Sequence, residues 1–296
     1  MKNICAALLL AFINSALCGV SLVYNLRISE TTRRQLLTQK PEHPSIASAV
    51  LVDQFYERKD SIRQFDTGLM AVYVYLLKSA YIKLQAAVGH VEQDISLVRL
   101  KLTRNQTDDV LLMAGYGFAP TKKTHVTISS VLGIPTHADT GFEGVEFGTG
   151  HVGVGFQADS AWFYTDSSSL MAAFRYVYFV PRHVNIPAVP GNFTFCLGNL
   201  VDLMFSHLTN IGRHKIEFGY NPTFDIHAKL VPPIASLNVP NGFMRSSFYA
   251  NYIFMFKARE HISALGLGFS YGFDHRPKIV GYKNIFTVWG VWGLNF

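Results

Sequence analysis

The chain has 296 residues, of which 49% are hydrophobic, 14% aromatic and 16% charged. The charged fraction is below the roughly 25% of average soluble domains, and a formal net charge of +6 is too small and too scattered to indicate a nucleic-acid-binding protein. After residue 30 no apolar run reaches the roughly 18 to 20 residues that a membrane-spanning helix needs, which excludes a helical membrane protein.

The first 18 residues have the three parts of a secretory signal. Lys2 supplies a basic start, residues 4–13 are uniformly apolar, and small residues follow up to Cys18. We expect cleavage near Cys18, with an uncleaved helix running to Tyr24 as the alternative. Since the other two cysteines fall in this segment, Cys196 is alone in the exported chain and no internal disulfide can stabilise it.

Residues 19–66 have no clear period. Two strands, at 20–29 and 46–56, are one interpretation. The other, which we favour, is a periplasmic or plugging segment with a helix around residues 45–58. The sequence therefore predicts a signal peptide at 1–18, an N-terminal segment at 19–66 and a strand-rich domain at 67–296.

Twelve segments of the remaining chain alternate in period two, as strands do because successive side chains point to opposite faces. They are residues 67–77, 80–91, 94–104, 108–118, 124–134, 150–163, 169–180, 192–206, 213–230, 246–257, 261–273 and 283–296. Short and long connections interleave between them. Outer-membrane barrels have short periplasmic turns, longer external loops and an even strand number. We therefore predict an all-β transmembrane antiparallel barrel of about 12 strands in the bacterial outer membrane, or 14 with the two extra strands.

The strongest single pattern covers residues 215–230. The odd positions are polar or small (Lys, Glu, Gly, Asn, Thr, Asp, His, Lys), whereas the even positions are apolar (Ile, Phe, Tyr, Pro, Phe, Ile, Ala, Leu). Soluble strands usually have about five or six residues, so a strand this long suits a barrel with one face in lipid and one in a lumen. A long hairpin of a soluble sheet is the alternative. Pro222 would remove one ladder donor in either case.

The same alternation assigns charged and polar side chains to the lumen. The candidates are Lys83, Arg99, Lys101, Arg175, Lys215, Glu217, Asp225, His227 and Lys229. With Asp202 added, six basic side chains face three acidic ones, which predicts a weak anion preference. A bore of twelve strands lies between the filled eight-stranded barrel and the open sixteen-stranded porin, so we expect it to be narrow or partly plugged.

The last segment carries an aromatic and aliphatic face. Phe286, Val288, Trp292, Leu294 and Phe296 share it, and only a glycine at 290 interrupts it. A terminal strand of this form resembles the signal that bacterial barrel-assembly machinery recognises. Within it we assign Trp292, Leu294 and Phe296 to the assembly signal.

Five residues could form a catalytic cluster at the external ends of the strands: Asp108, Asp109, His137, Asp139 and His151. Such groups activate a water in the outer-membrane proteases, but loop tips are polar in any barrel. No zinc-ligand spacing and no phosphate-binding loop occurs. We therefore predict no catalytic residue, no metal and no cofactor.

Three stretches of the chain together resemble a known family. They are residues 108–116 (Asp-Asp-Val-Leu-Leu-Met-Ala-Gly-Tyr), 133–136 (Gly-Ile-Pro-Thr) and 147–155 (Phe-Gly-Thr-Gly-His-Val-Gly-Val-Gly). They are similar to the outer-membrane transporters named for the MetA pathway of phenol degradation, which are distantly related to long-chain fatty-acid transporter barrels. The resemblance implies passage of small hydrophobic or aromatic compounds and no catalysis.

From these patterns we predict an outer-membrane channel or transporter for small solutes. Its expected partners are outer-membrane lipid, the barrel-assembly machinery and the solute, with no nucleic acid. A barrel hydrolase and a structural or adhesive surface barrel are the alternatives. The identity of the solute, the oligomeric state and the position of residues 19–66 relative to the bore stay open at this point.

Overall fold

The computed structural model describes residues 45–57, 62–77, 79–95, 100–136, 149–185, 192–196, 198–226, 229–231, 244–258, 261–275 and 284–295. Every regular element in these residues is a β-strand. No helix there is long and apolar enough to cross a bilayer. The predicted signal peptide at 1–18 and the rest of the N-terminal segment up to residue 44 lie outside the described residues.

Sixteen strands occur in the described part of the chain. They are β1 (Ser45–Glu57), β2 (Ile62–Leu77), β3 (Ala80–Ile95), β4 (Leu100–Thr107), β5 (Val110–Thr121), β6 (Thr124–Ile134), β7 (Gly153–Phe163), β8 (Ser168–Phe179), β9 (Arg182–Asn185), β10 (Asn192–Cys196), β11 (Asn199–Ile211), β12 (His214–Ile226), β13 (Lys229–Val231), β14 (Met244–Ala258), β15 (His261–His275) and β16 (Asn284–Asn295).

The large sheet closes on itself as an antiparallel barrel of twelve strands. Its order is β2-β1-β16-β15-β14-β12-β11-β8-β7-β6-β5-β3, and a further pairing of β2 with β3 completes the circle. Strands β4 and β5 both pair with β3, so together they form one barrel strand. Closure leaves no sheet edge with unpaired backbone groups, which is the condition for a sheet to lie in hydrocarbon.

The two ends of the barrel differ. At one end, the short-turn end, the connections are residues 78–79, 122–123, 164–167, 212–213 and 259–260. At the other end, the loop end, the longer connections include 135–152, 180–198, 227–243 and 276–283. In outer-membrane barrels the short turns are periplasmic and the long loops external. A small sheet of β9, β10 and β13 extends β8, β11 and β12 at the loop end.

The outward faces carry most of the large apolar side chains. Phe218, Leu267 and Phe269 are about three-fifths exposed, and Val288 and Trp292 of the last strand are half exposed. In water such a surface would be unfavourable at about 25 cal/mol for each Å², whereas hydrocarbon is a suitable solvent for it. The outward residues of β16 confirm the predicted apolar face of that strand, except that Phe296 lies outside the described residues.

Three large inward rings pack flat against glycines of the neighbouring strand. Tyr81 lies directly opposite Gly115, Tyr249 opposite Gly219 and Trp289 opposite Gly268. A Cβ atom added at any of these glycines would clash with the ring. Because each ring covers a glycine of the wall, it lies along the wall of the bore instead of projecting across it.

The first barrel strand corrects the prediction for residues 45–58. The helix expected there is wrong, because residues 45–57 form β1, which pairs along its whole length with β2 and β16. In the described residues the barrel therefore begins at Ser45 and not at Thr67, and the other interpretation, a strand at 46–56, is confirmed. The sequence hides this strand because its inward Val50 and Val52 and its outward Leu51 are all apolar, so the alternation has no chemical contrast.

A second correction concerns residues 94–104 and 108–118, which were predicted as two barrel strands. Residues 94 and 95 instead end β3, and β4, which contains residues 100–104, forms one barrel strand together with β5 through the register of both against β3. The predicted total of twelve is confirmed only because β1 replaces the strand that is lost here.

The segment predicted at 213–230 is observed as β12 with the short β13 beyond it. Lys215 and Glu217 are buried on the inward side and Phe218 is exposed on the outward side, as the alternation predicts. Pro222 interrupts the ladder with β11 opposite Leu203. The side-chain amide of Asn221 donates to the Leu203 carbonyl in its place.

The outward face generates a test of membrane exposure. Phe269 lies in the middle of β15, whereas Ile211 adjoins the turn at residues 212–213; both are about three-fifths exposed. We expect Phe269→Arg to cost roughly 2 to 4 kcal/mol of folding free energy in vesicles and Ile211→Arg about 0 to 1 kcal/mol, because a charge is costly only at the bilayer midplane. Reversible urea unfolding from vesicles measures both, and equal losses would contradict the placement in lipid.

The glycine and aromatic pairs generate a second test. Gly115→Ala should displace the Tyr81 ring and break its hydrogen bond to Ser129, at a cost of about 1 to 3 kcal/mol for overpacking. Gly117, two residues along on the same face, is the matched control, because the nearest atom to its added Cβ is Thr127 Oγ1 at an ordinary 3.5 Å. Both variants are compared by urea unfolding in vesicles. A Gly117→Ala variant as destabilised as Gly115→Ala would refute the packing argument.

Candidate functional site: the bore and its loop-end anchor

A continuous row of polar side chains runs along the inner wall. Each member lies directly opposite the next in the register of seven consecutive barrel strands, β6 to β15. This polar row consists of Ser129, Gln157, Arg175, Asp202, Thr223, Arg245 and Asp274. Because barrel strands are tilted, a row that follows the register climbs the wall. It ends at Asp274, near the loop end of β15.

The polar row is connected by hydrogen bonds between neighbouring strands. Arg175 Nε donates to Gln157 Oε1 at 2.8 Å. Thr223 Oγ1 donates to Asp202 Oδ1 at 2.8 Å. At the far end Arg245 and Asp274 form a two-point ion pair, with Nε to Oδ1 at 2.7 Å and Nη2 to Oδ2 at 3.2 Å. These bonds hold charged groups in fixed positions inside the barrel, where hydrogen bonding offsets the cost of burying them.

A second polar cluster lies on β12 and β14. Glu217 is 2% exposed, and its carboxylate accepts one bond from the Tyr249 hydroxyl at 3.1 Å and one from Asn251 Nδ2 at 3.0 Å. Next to it, the side chain of Asn251 and the Trp289 ring both lie over Gly268. Polar and aromatic groups therefore share this part of the wall.

The predicted lumen residues fall into three groups. Lys83, Arg175, Lys215 and Glu217 are buried on the inward side. The side chains of Asp225 and Lys229 are not described, although their backbones lie in β12 and β13. Arg99 and His227 lie outside the described residues.

Lys101 is a correction. It lies opposite Asp94 on the outward face, is 61% exposed and forms an ion pair with Glu92 at 2.6 Å. β4 carries Lys101 on its outward face, so the assignment of charged side chains to the lumen fails there; the bulge between β4 and β5 reverses the faces, and β5 is apolar on its outward side. This end of the strand is wet on its outer side.

The charge balance predicted for the lumen is also wrong for the described residues. Four inward basic side chains there, Lys83, Arg175, Lys215 and the partly buried Arg245, stand against seven buried carboxylates: Asp66, Asp108, Asp109, Asp159, Asp202, Glu217 and Asp274. Asp66 lies one residue before the predicted strand 67–77, and Asp274 lies one residue after the predicted strand 261–273. Neither was therefore included among the predicted lumen residues.

The wall contains a β-bulge at Asp108 and Asp109. Val88 lies opposite Thr107. Gln85 lies opposite Leu111, so residues 108–110 face only two residues of β3. An extra residue of this kind bends the strand and inverts its faces. Both carboxylates are buried as a result.

Asp109 binds the segment that precedes β7. Its carboxylate accepts hydrogen bonds from the backbone N–H groups of Thr149 at 2.9 Å and Gly150 at 3.2 Å, and from the Thr149 hydroxyl. Thr136, which follows β6, donates to the Asp108 carbonyl at 2.8 Å. Both ends of the connection between β6 and β7 are therefore tied to the bulge. We call residues 149–151 the anchored segment.

His151 completes the anchored segment. It is 1% exposed, its Nδ1 bonds to the Val180 carbonyl at 2.9 Å, and its ring meets Phe179 edge-on. Burial lowers the pKa of His151 to about 4; Arg182 adds to the lowering and the bond to Val180 opposes it. The imidazole is therefore neutral at neutral pH. Gly150 has a φ of 61° and lies under the Arg182 guanidinium, so only glycine fits there.

The predicted catalytic cluster is brought together only in part. Asp108 and Asp109 lie at the bulge and His151 lies in the anchored segment that Asp109 binds, while His137 and Asp139 lie outside the described residues. The oxygens of Asp109 are used by backbone donors, an arrangement that fixes a loop. No group of three or more His, Cys, Asp or Glu in the described residues could hold a metal. The contacts across 40 residues between Asp109 and Thr149 have no signal in local periodicity.

No protein-family model matches the sequence, and the comparison with curated proteins finds no match. The fold is similar to the crystal structure of an outer membrane channel from Pseudomonas putida F1, with a TM-score of 0.70, 11% identity and coverage of 87% of this chain and 97% of that chain. A NanC porin has a TM-score of 0.44 at 11% identity, covering 83% of this chain and 98% of its own. The CymD monoaromatic hydrocarbon channel has a TM-score of 0.47 at 9% identity, with coverages of 88% and 90%. The first of these establishes the fold of an outer-membrane barrel, and the two lower scores add nothing to it.

The anchor yields a testable prediction. Asp109→Asn replaces one acceptor oxygen by an NH2 group, which leaves a buried donor of residue 149 or 150 without its partner. We expect a loss of about 1 to 3 kcal/mol and faster hydrogen exchange at the amides of Thr149 and Gly150. The control is Asp53→Asn, an exposed carboxylate that accepts one bond from Thr67 at 2.9 Å, with an expected change within about 0.5 kcal/mol. Unchanged exchange at both amides in Asp109→Asn would show that the carboxylate does not hold the segment.

Proposed function

We propose that this protein is an outer-membrane channel for small solutes. The observation that carries the proposal is the contrast between the two faces of one closed sheet. The outer face is apolar, while the polar row lines seven consecutive strands of the inner face with side chains that hydrocarbon could not solvate. A wall with this polarity separates lipid from a polar interior, which is the arrangement of a channel.

The finer proposal is that the chain is related to the MetA-pathway transporters and conducts small hydrophobic or aromatic compounds. It is supported by the three stretches that carry the resemblance, because their described parts meet in one place. Gly133 lies opposite Gly153, and Asp108 and Asp109 bind Thr136 and Thr149. The aromatic rings of Tyr81, Tyr249 and Trp289 along the wall are also compatible with a planar solute.

The proposal includes export and assembly. It takes residues 1–18 as a cleaved signal, residues 19–44 as a periplasmic or plugging segment, and Trp292, Leu294 and Phe296 as the signal for the barrel-assembly machinery. The outward faces of Trp292 and Val288 are in keeping with this role. Lys83, Arg175, Lys215 and Glu217 are its lumen-lining residues.

A barrel hydrolase is less well supported. Its candidate carboxylates at 108 and 109 bind the backbone of their own chain, and the neutral His151 bonds to a backbone carbonyl. These groups fix the connection between β6 and β7. This structural role explains their burial, and no hydrolase activity is required to explain it.

A planar-bilayer recording of the refolded full chain tests the channel. We expect discrete conductance steps and, because seven carboxylates outnumber four basic groups in the described wall, a preference for cations in a salt gradient. This sign replaces the anion preference predicted from the sequence. The control is protein boiled before addition, which should give no steps. A folded, heat-modifiable barrel without conductance would refute the channel, and a reversal potential of the anion-selective sign would refute the charge argument.

A further inference from the structure

Glu217 is a buried carboxylate of the wall that, like Asp66, accepts its hydrogen bonds from neutral side chains. Both of its hydrogen bonds come from the neutral donors Tyr249 and Asn251. Within the part of the chain that the structure describes, no lysine or arginine forms an ion pair with it, although Lys215 is buried two residues away on the same strand. A buried carboxylate that is bonded only to neutral donors is costly to keep ionised, and a cation that approaches from the bore would stabilise it strongly.

Two aromatic residues lie on the same side of this carboxylate, Tyr249 on the neighbouring strand β14 and Trp289 on β16. The Tyr249 ring packs on Gly219 and bonds to Glu217 through its hydroxyl. The Trp289 ring packs on Gly268, one strand beyond Asn251, in the same register row as Glu217. Ring faces attract ammonium groups through their quadrupole, and tryptophan does so most strongly.

Three buried polar atoms next to the rings make no hydrogen bond. They are Trp289 Nε1, Thr287 Oγ1 and Gln54 Nε2, on side chains that are each about 1% exposed. Thr287 and Gln54 lie opposite each other, and Thr287 is two residues from Trp289 on the same inward face. Buried polar groups are normally bonded, and all three of these atoms can donate to an acceptor on a ligand.

We propose that this part of the wall is a binding subsite for a small aromatic amine that also carries a hydrogen-bond-accepting oxygen. Glu217 binds the ammonium group, and Tyr249 and Trp289 flank the aromatic ring of the ligand. Trp289 Nε1, Thr287 Oγ1 and Gln54 Nε2 donate hydrogen bonds to the ligand oxygen. The proposal rests on the channel function, because the ligand enters through the bore, and it names the class of solute. The excess of buried carboxylates in the described wall favours the same class.

Binding to the detergent-solubilised full chain tests the subsite without requiring conductance. The probes are tyramine and 4-ethylphenol, which share the ring and the hydroxyl and differ by the ammonium group. Calorimetry at neutral pH should show tighter binding of tyramine. Glu217→Gln keeps the shape and the acceptor for Tyr249 but removes the charge, so it should weaken tyramine about tenfold or more and leave 4-ethylphenol unchanged.

The matched control is Asp202→Asn, which removes one negative charge from the polar row on the neighbouring strand. It should change tyramine affinity no more than a few-fold. Trp289→Phe keeps a ring but loses the Nε1 donor, and it should weaken both probes alike. Equal affinity of the wild-type chain for the two probes, or equal losses in Glu217→Gln and Asp202→Asn, would overturn the subsite.

Folding of each variant is checked by heat-modifiable mobility. If Glu217→Gln does not fold, the comparison of the two probes on the wild-type chain and on Trp289→Phe still decides the matter. Conductance without tyramine binding would refute the subsite and leave the channel intact. Tyramine binding without conductance would refute the channel instead.

Discussion

Closure of the sheet between its first and last strands is the constraint on which everything else in this structure depends. Hydrocarbon offers no partner for a backbone N–H or C=O group, so a sheet can lie in a bilayer only when every strand has two neighbours. Pairing of Ser45–Glu57 with Asn284–Asn295 provides the last of these contacts. Once the sheet is closed, strand alternation leaves only two environments, lipid and bore, and the chemistry of each side chain follows from its parity.

The bulge at Asp108 and Asp109 is where this simple division is broken. One extra residue exchanges the inward and outward faces of the strand. The outward face therefore carries the charged Lys101 on the loop side of the bulge and the apolar Leu112 on the other side. The same irregularity brings two carboxylates to the inner wall, where they bind the ends of a long connection. A local departure from regular pairing therefore joins a loop to the barrel, and regular strands could not do this.

Sequence periodicity predicted those strands whose two faces differ in chemistry. In β12 the charged and polar residues alternate with apolar ones, so that strand was predicted closely. β16 was predicted from its outward apolar face, because Ile285, Trp289 and Val291 make much of its inward face apolar as well. For β1 the strand at 46–56 was only one of two interpretations, because apolar residues occupy both faces, with Val50 and Val52 inward and Leu51 outward. The face of Lys101 was wrong because a charged side chain was assigned to the lumen, whereas this part of β4 is charged on its outward face.

Contacts between distant segments were beyond the reach of periodicity for a different reason. The bond between Asp109 and Thr149 and the packing of Trp289 against Gly268 depend on which strands become neighbours and on their exact register. A single sequence contains that information only through the complete fold. Small errors in strand ends have the same effect. An error of one residue at a strand end removed Asp66 and Asp274 from the predicted bore.

The pairing of the first strand with the last also has a kinetic consequence. Every other ladder of the barrel joins two barrel strands with no other barrel strand between them in the sequence, whereas this ladder joins the first barrel strand to the last, as in the pair Phe55 and Phe286. Neighbouring hairpins can form early at small entropic cost, but the closing ladder must wait for the whole chain and brings its two ends together at once. Until that ladder forms, the unpaired backbone N–H and C=O groups of two strand edges face the membrane. Closure of the barrel is therefore the assembly step at which protection of these edges matters most.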